Sequence, residues 1–129
     1  MIDIEKLNIN LQAYDRIVIV DDDDLIRASW KLKLSQSQAS REIETFYFAS
    51  RDEFDQAIQD HGWDQDRTLF IVDYEIGDAL GTQLIEQYQI QSRCYLVTGH
   101  SDDAALIRWC ADQSVPLVAK SQLADFRFC

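Results

Sequence analysis

The sequence predicts an α/β fold, a doubly wound five-stranded parallel sheet with helices on both faces. Three observations lead to it. Short apolar runs of strand length recur along the chain, separated by stretches of helical periodicity. The runs tend to be apolar throughout rather than alternating, which marks strands buried on both faces. Several of them stop at a polar residue, as strands do where they reach a sheet edge. Strands that alternate with helices imply right-handed crossovers and hence parallel pairing.

Each element follows from local chemistry. Ile17 to Val20 is a β-branched run that ends in an acidic cluster, Asp21 to Asp24. Leu25 to Ser37 has helix-forming composition, although Trp30, Leu32 and Leu34 alternate as in a strand; length and position favour a helix, with Asp23 and Asp24 at its N-terminus, where acids suit the dipole. Ile43 to Ala49 is the aromatic-rich second strand. Ser50 and Glu53 form a capping box, and Phe54, Ala57, Ile58 and His61 share one helical face that Gly62 ends. Leu69 to Val72 is the third strand, ending at Asp73. Leu80, Leu84, Ile85 and Tyr88 give the next helical face. Tyr95 to Val97 ends at Thr98, and Ser101 is positioned to cap a helix through Leu106, Ile107 and Cys110. Leu117 to Ala119 ends at Lys120. Five strands of this kind fit the flavodoxin-like order 2-1-3-4-5, with a crevice where the order reverses between the first and third strands.

Bulk properties narrow the function classes. A chain of 129 residues, 47% of them hydrophobic, is expected to form a single domain, 1–129. Residues 1–15 form an N-terminal extension and 121–129 a short C-terminal helix. Twelve basic against 23 acidic residues, a net charge of -11, oppose a nucleic-acid grip and suit a cation-binding protein. Three scattered cysteines and two histidines oppose both a disulfide scaffold and a structural zinc site. No apolar run reaches the roughly 20 residues of a membrane span, and MIDIEKLNIN carries charges where a signal peptide needs an apolar core. The expected location is cytoplasmic.

In the predicted fold Asp21, Asp22, Asp73, Thr98 and Lys120 all follow strands and meet in the one crevice. Singly, each has a plainer role: a helix-start acid, a turn residue, a cap, a solvated lysine. Together they are chemistry. Three clustered carboxylates need a cation or a bound proton to coexist. A hard divalent ion with oxygen ligands meets that need, magnesium first among them. A carboxylate can also accept a phosphoryl group, and phosphoryl transfer needs its equatorial oxygens neutralised. Asp73 with Mg2+, Lys120 and Thr98 is such a set.

The runs IVIVDDDD, LFIVDYEIGDALG, YLVTGH and PLVAK resemble, in order, the signatures of the response-regulator receiver family of two-component systems. The 22 positions from Thr98 to Lys120 and the eight from Asp73 to Gly81 are similar to those of its chemotaxis member. The resemblance implies a phosphoacceptor at Asp73, Mg2+ bound by Asp22, by Asp21 directly or through water, by Asp73, and by the backbone carbonyl of Glu75. It implies phosphoryl contacts from Thr98 and Lys120, and a tight loop at Gly81. Asp73 would receive its phosphoryl group from a histidine kinase or phosphotransfer protein. The chain would catalyse only its own phosphorylation and dephosphorylation. Output would pass through a partner or a further domain, with a homodimer possible, and with no direct nucleic-acid or membrane contact.

Four departures stand out. Gly77 replaces a common proline, which suggests a more mobile loop. Leu117 replaces a common aromatic switch residue, and Ser121 a proline that follows the lysine. Only nine residues follow Lys120, too few for a full fifth helix, so apolar surface near the first and fifth strands is expected to stay open to a partner, with Leu123 and Phe126 facing inward and Phe128 nearby. His100, two positions after Thr98, either borders the site or is a solvated loop histidine; the aromatics Trp30, Trp63 and Trp109 belong to the core or its rim. Two alternatives compete: a pseudo-receiver that signals without phosphate, and a haloacid-dehalogenase-like phosphatase built on Asp21, Asp23, Thr98 and Lys120. The second lacks an acidic motif after the lysine and gives Asp73 no role.

Overall fold

The computed structural model describes residues 7–37, 43–63 and 67–129. Its elements are β1 (Asn8–Ile9), β2 (Arg16–Val20), α1 (Asp24–Ser35), β3 (Glu44–Phe48), α2 (Arg51–His61), β4 (Thr68–Asp73), β5 (Glu75–Ile76), β6 (Ala79–Leu80), α3 (Gly81–Tyr88), β7 (Cys94–Thr98), α4 (Ala104–Gln113), β8 (Leu117–Ala119) and β9 (Arg127–Phe128), with short 3-10 turns at Leu11–Ala13, Gln91–Arg93 and Lys120–Asp125. The central sheet is wholly parallel in the order β3-β2-β4-β7-β8. Counted along the chain, that is the predicted 2-1-3-4-5. No helix among the described residues is long and apolar enough to cross a membrane.

Because side chains alternate across a strand, the apolar runs divide into two cores. Val18, Val20, Phe70, Val72 and Leu96 face one side, where Phe54, Leu84, Ile85, Leu106 and Cys110 of α2, α3 and α4 cover them. Ile17, Ile19, Leu69, Ile71, Val97 and Val118 face the other, against Trp30 and Leu34 of α1. The ambiguous first helix is a helix: Asp23 caps it by accepting the N–H groups of Leu25 and Ile26, Trp30 and Leu34 point inward, and Leu32, 61% exposed, is the outward residue that mimics alternation. Ser50 accepts the N–H of Glu53, while the Glu53 carboxylate accepts from Ala49 rather than from Ser50 itself. Gly62 ends α2 in the left-handed region. Ser101 is not the cap of α4; the Asp103 carboxylate accepts the N–H of Leu106 instead.

The α1 face holds the main correction. The C-terminal segment expected as a short helix over 121–129 is helical only over Lys120–Asp125, as a 3-10 helix of six residues, and then turns into β9. β9 pairs in parallel with β1, Asn8 against Arg127 and Ile9 against Phe128. The expected extension is therefore part of the fold from Leu7 onward; its first six residues lie outside the described ones. Leu7, Ile9 and Leu11 are buried beside Phe126, which is 1% exposed. Phe126 meets Trp30 edge-on at 5.0 Å and Tyr95 at 5.5 Å. Lys33 donates to the carbonyls of Ala124 and Phe126, and Ser37 to that of Phe128. The apolar surface expected to stay open is thus covered by the two ends of the chain itself, in the place a fifth helix would take. A shallow groove lined by Ile26, Trp30, Leu123 and Ala124 is what remains of it.

Candidate functional site

The carboxyl ends of the strands enclose a cleft of about 190 Å³ lined by Asp22, Asp73, Glu75, Gly77, Thr98, Gly99, His100 and Lys120. Asp73 is the last residue of β4 and Thr98 of β7, while Lys120 directly follows β8 and Asp21 directly follows β2. Parallel register fixes their proximity: Asp73 lies opposite Val97, and Thr98 opposite Ala119. Every sequence-predicted site residue is at this edge. Asp21, Asp73 and Thr98 are buried, Asp22 and Glu75 exposed, and Lys120 half-buried.

Among the described residues, Asp21, Asp22 and Asp73 each offer a carboxylate oxygen within 4.8 Å of the others. The Lys120 ammonium stands 3.6 Å from Asp73 Oδ2. One cation does not offset three acids. Burial, then the Asp21 carboxylate, pushes the Asp73 carboxyl up to about 7, against the pull of Lys120. Burial likewise raises Asp21, opposed by the Asp23 N–H, which donates to Asp21 Oδ1 at 2.9 Å. Both carboxyls are thus raised by burial and by the like charge of their neighbours. The donor set fits a hard divalent cation such as Mg2+, which takes few carboxylates and keeps waters.

The remaining polar contacts shape the rim. The His100 N–H donates to Thr98 Oγ1 at 2.9 Å; a hydroxyl that accepts there still has its own proton to give. The His100 ring and Glu75 carboxylate meet at 3.1 Å across the mouth, so His100 does border the site. Gly81 opens α3 against the end of β4: a Cβ there would lie 2.2 Å from the carbonyl oxygen of Asp73. Asp23, which the phosphatase alternative requires in the site, is spent on capping α1.

The loop after Asp73 contains a feature that reading the sequence missed. Glu75–Ile76 and Ala79–Leu80 form a miniature antiparallel hairpin. Gly77, φ +60°, holds the first turn position, and its N–H donates to Asp22 Oδ2 at 2.9 Å. This bond ties the loop to the site. A signal was present, since Gly-Asp between two short runs is a hairpin pair.

No protein-family model matches the chain, and no curated protein matches it. Among solved structures, it is similar to the crystal structure of the signal receiver domain of an HD domain-containing protein from Pseudomonas fluorescens Pf-5. The TM-score is 0.64 at 17% identity, over 84% of this chain and 77% of that one. The chain has the fold of a signal receiver domain.

Proposed function

We propose that the chain is a phosphoacceptor receiver domain that takes a phosphoryl group on Asp73 from a histidine kinase or phosphotransfer protein and signals by a change in conformation. The observation that carries this reading is the convergence of Asp73, Lys120 at 3.6 Å and the Thr98 hydroxyl in one cleft beside two further carboxylates. In the transfer, an Asp73 carboxylate oxygen attacks phosphorus. The bond to the donor nitrogen, or to acetate oxygen when acetyl phosphate is the donor, breaks with its electron pair leaving on the donor. Lys120 pairs with one equatorial oxygen, and the Thr98 hydroxyl donates to another. Asp21, Asp22, Asp73 and the carbonyl of Glu75 would hold Mg2+, which when bound supplies positive charge to the remaining oxygen. Lys120 also favours the ionised form of Asp73 needed for attack, partly opposing the burial that favours its neutral form.

The test is intact-mass spectrometry after incubation with acetyl phosphate and Mg2+, followed by peptide mapping. The expected result is one phosphoryl group on Asp73, absent from Asp73→Asn. A bare chain would return the reading to a phosphate-independent interaction module, and phosphate on Asp21 would favour the phosphatase.

A further inference from the structure

We propose that the backbone N–H of Gly77 is a positioning group for the cation side of the site, tying together two loops that each contribute a ligand. The inference rests on reading Asp21, Asp22 and Asp73 as a divalent-cation site. Within that trio the three carboxylates are held differently. Asp21 is buried and receives the N–H of Asp23. Asp73 is buried and paired with Lys120. Asp22 is exposed, and like-charge repulsion from its two neighbours favours swinging it into water. What opposes that swing is the Gly77 N–H, donated from 55 positions away to Asp22 Oδ2 at 2.9 Å. A carboxylate has two oxygens, so Oδ1 stays free for a cation.

The same bond acts on the second loop. Gly77 turns the hairpin whose first strand begins at Glu75, paired with Leu80. The Glu75 carbonyl and the Asp22 carboxylate are therefore placed relative to each other by one hydrogen bond across the cleft. The turn explains why glycine stands here. Its φ of +60° is the left-handed region, and no atom lies within 4 Å of where a Cβ would be. The demand is for backbone conformation and a donor, not for room. Proline can supply neither, since its ring fixes φ near −65° and removes the N–H. Asparagine visits the left-handed region and keeps the donor.

The experiment measures Mn2+ binding by the electron paramagnetic resonance of the free ion, with the full chain as wild type, Gly77→Asn and Gly77→Pro. Wild type and Gly77→Asn should agree within about twofold, and Gly77→Pro should bind about tenfold or more weakly, the scale for losing a partner that orients a metal ligand. Circular dichroism establishes that each variant is folded. Should Gly77→Pro fail to fold, the Gly77 amide decides the matter by NMR: in wild type it should be protected from exchange, and in Asp22→Ala that protection should be lost. Wild-type affinity in a folded Gly77→Pro overturns the proposal and leaves the cation site standing. So does an amide equally free to exchange in wild type and Asp22→Ala. Absence of Mn2+ binding by the wild type removes the cation site itself, and the positioning role with it.

Discussion

At the carboxyl ends of β2, β4, β7 and β8, each functional side chain sits where its own strand ends. On the α1 face, cover comes instead from opposite ends of the chain, with Asn8 paired to Arg127. The first region is crowded with like charge: Asp21 and Asp73 are buried near each other with one lysine at hand. The second buries Leu7, Ile9, Leu11 and Phe126 against Trp30 and Tyr95, with backbone carbonyls satisfied by Lys33 and Ser37. Like-charge crowding is concentrated at one edge of the sheet, and packing on one face helps offset it.

Breaking the second region should cost the most. Phe126→Ala removes a fully buried ring held by three aromatic neighbours, Trp30, Tyr95 and Phe128, and denaturant melts should show a loss of about 3–5 kcal/mol. A loss under about 1 kcal/mol would mean that the terminal segments collapse to refill the space, or that they are not a cooperative part of the fold.

The two regions also differ in how far they can be read from sequence. Asp73, Thr98 and Lys120 are legible because a strand that runs into a polar residue is a local pattern, and parallel topology then gathers those ends without further information. The two faces of the core are legible from the same runs once the period of two is applied. The β1–β9 pairing is not legible. It joins two strands of two residues each from the ends of the chain, and nothing within either segment names the other. A short tail after Lys120 reads as missing cover only if the N-terminal segment is left out of the count. The cap of α4 was misplaced for a smaller reason: Ser101 and Asp103 are both good caps two residues apart, and only backbone geometry chooses between them.

Next in size is Gly81→Ala, where the added methyl meets the carbonyl of Asp73 and the side chains of Val72 and Leu96. Overpacking there should cost about 1–3 kcal/mol. Because the clash is with the backbone of Asp73, the proposed phosphoacceptor, acetyl-phosphate labelling should fall as well. An unchanged labelling rate in a destabilised variant would separate the packing of α3 from the chemistry.

Asp73→Asn should act in the opposite direction. A carboxyl raised to about 7 in the folded chain, against 3.8 when unperturbed, binds its proton more tightly folded than unfolded. Folding therefore loses stability as pH rises from about 4 through 7, and carries the full penalty above that. In metal-free buffer at pH 8 the amide should stabilise the chain by about 1–2 kcal/mol, since Lys120 is partly exposed and can turn to water. The gain should close as pH falls towards 4, and shrink when Mg2+ stabilises the wild type. An equal gain at pH 4 and pH 8 would show that crowding of ionised carboxylates is not its cause.

The smallest effect on stability is expected where the effect on chemistry should still be visible. Glu75 and His100 meet at 3.1 Å over the mouth of the cleft, with side chains 59% and 64% exposed. An exposed pair of this kind is worth at most about 1 kcal/mol and often nothing, so Glu75→Ala and His100→Ala should each leave the melting midpoint almost unchanged. The pair nevertheless stands across the mouth of the cleft, where, on the proposed function, water would enter to attack phosphorus on Asp73. Removing either partner takes away that bridge without touching Asp73, Thr98 or Lys120. Phosphorylated chain freed of donor should then lose its label faster in both variants than in wild type, to a similar extent in each because either substitution breaks the same contact. Equal decay in all three chains would show that the bridge does not restrict water. Faster decay in one variant alone would assign the effect to that side chain rather than to the pair.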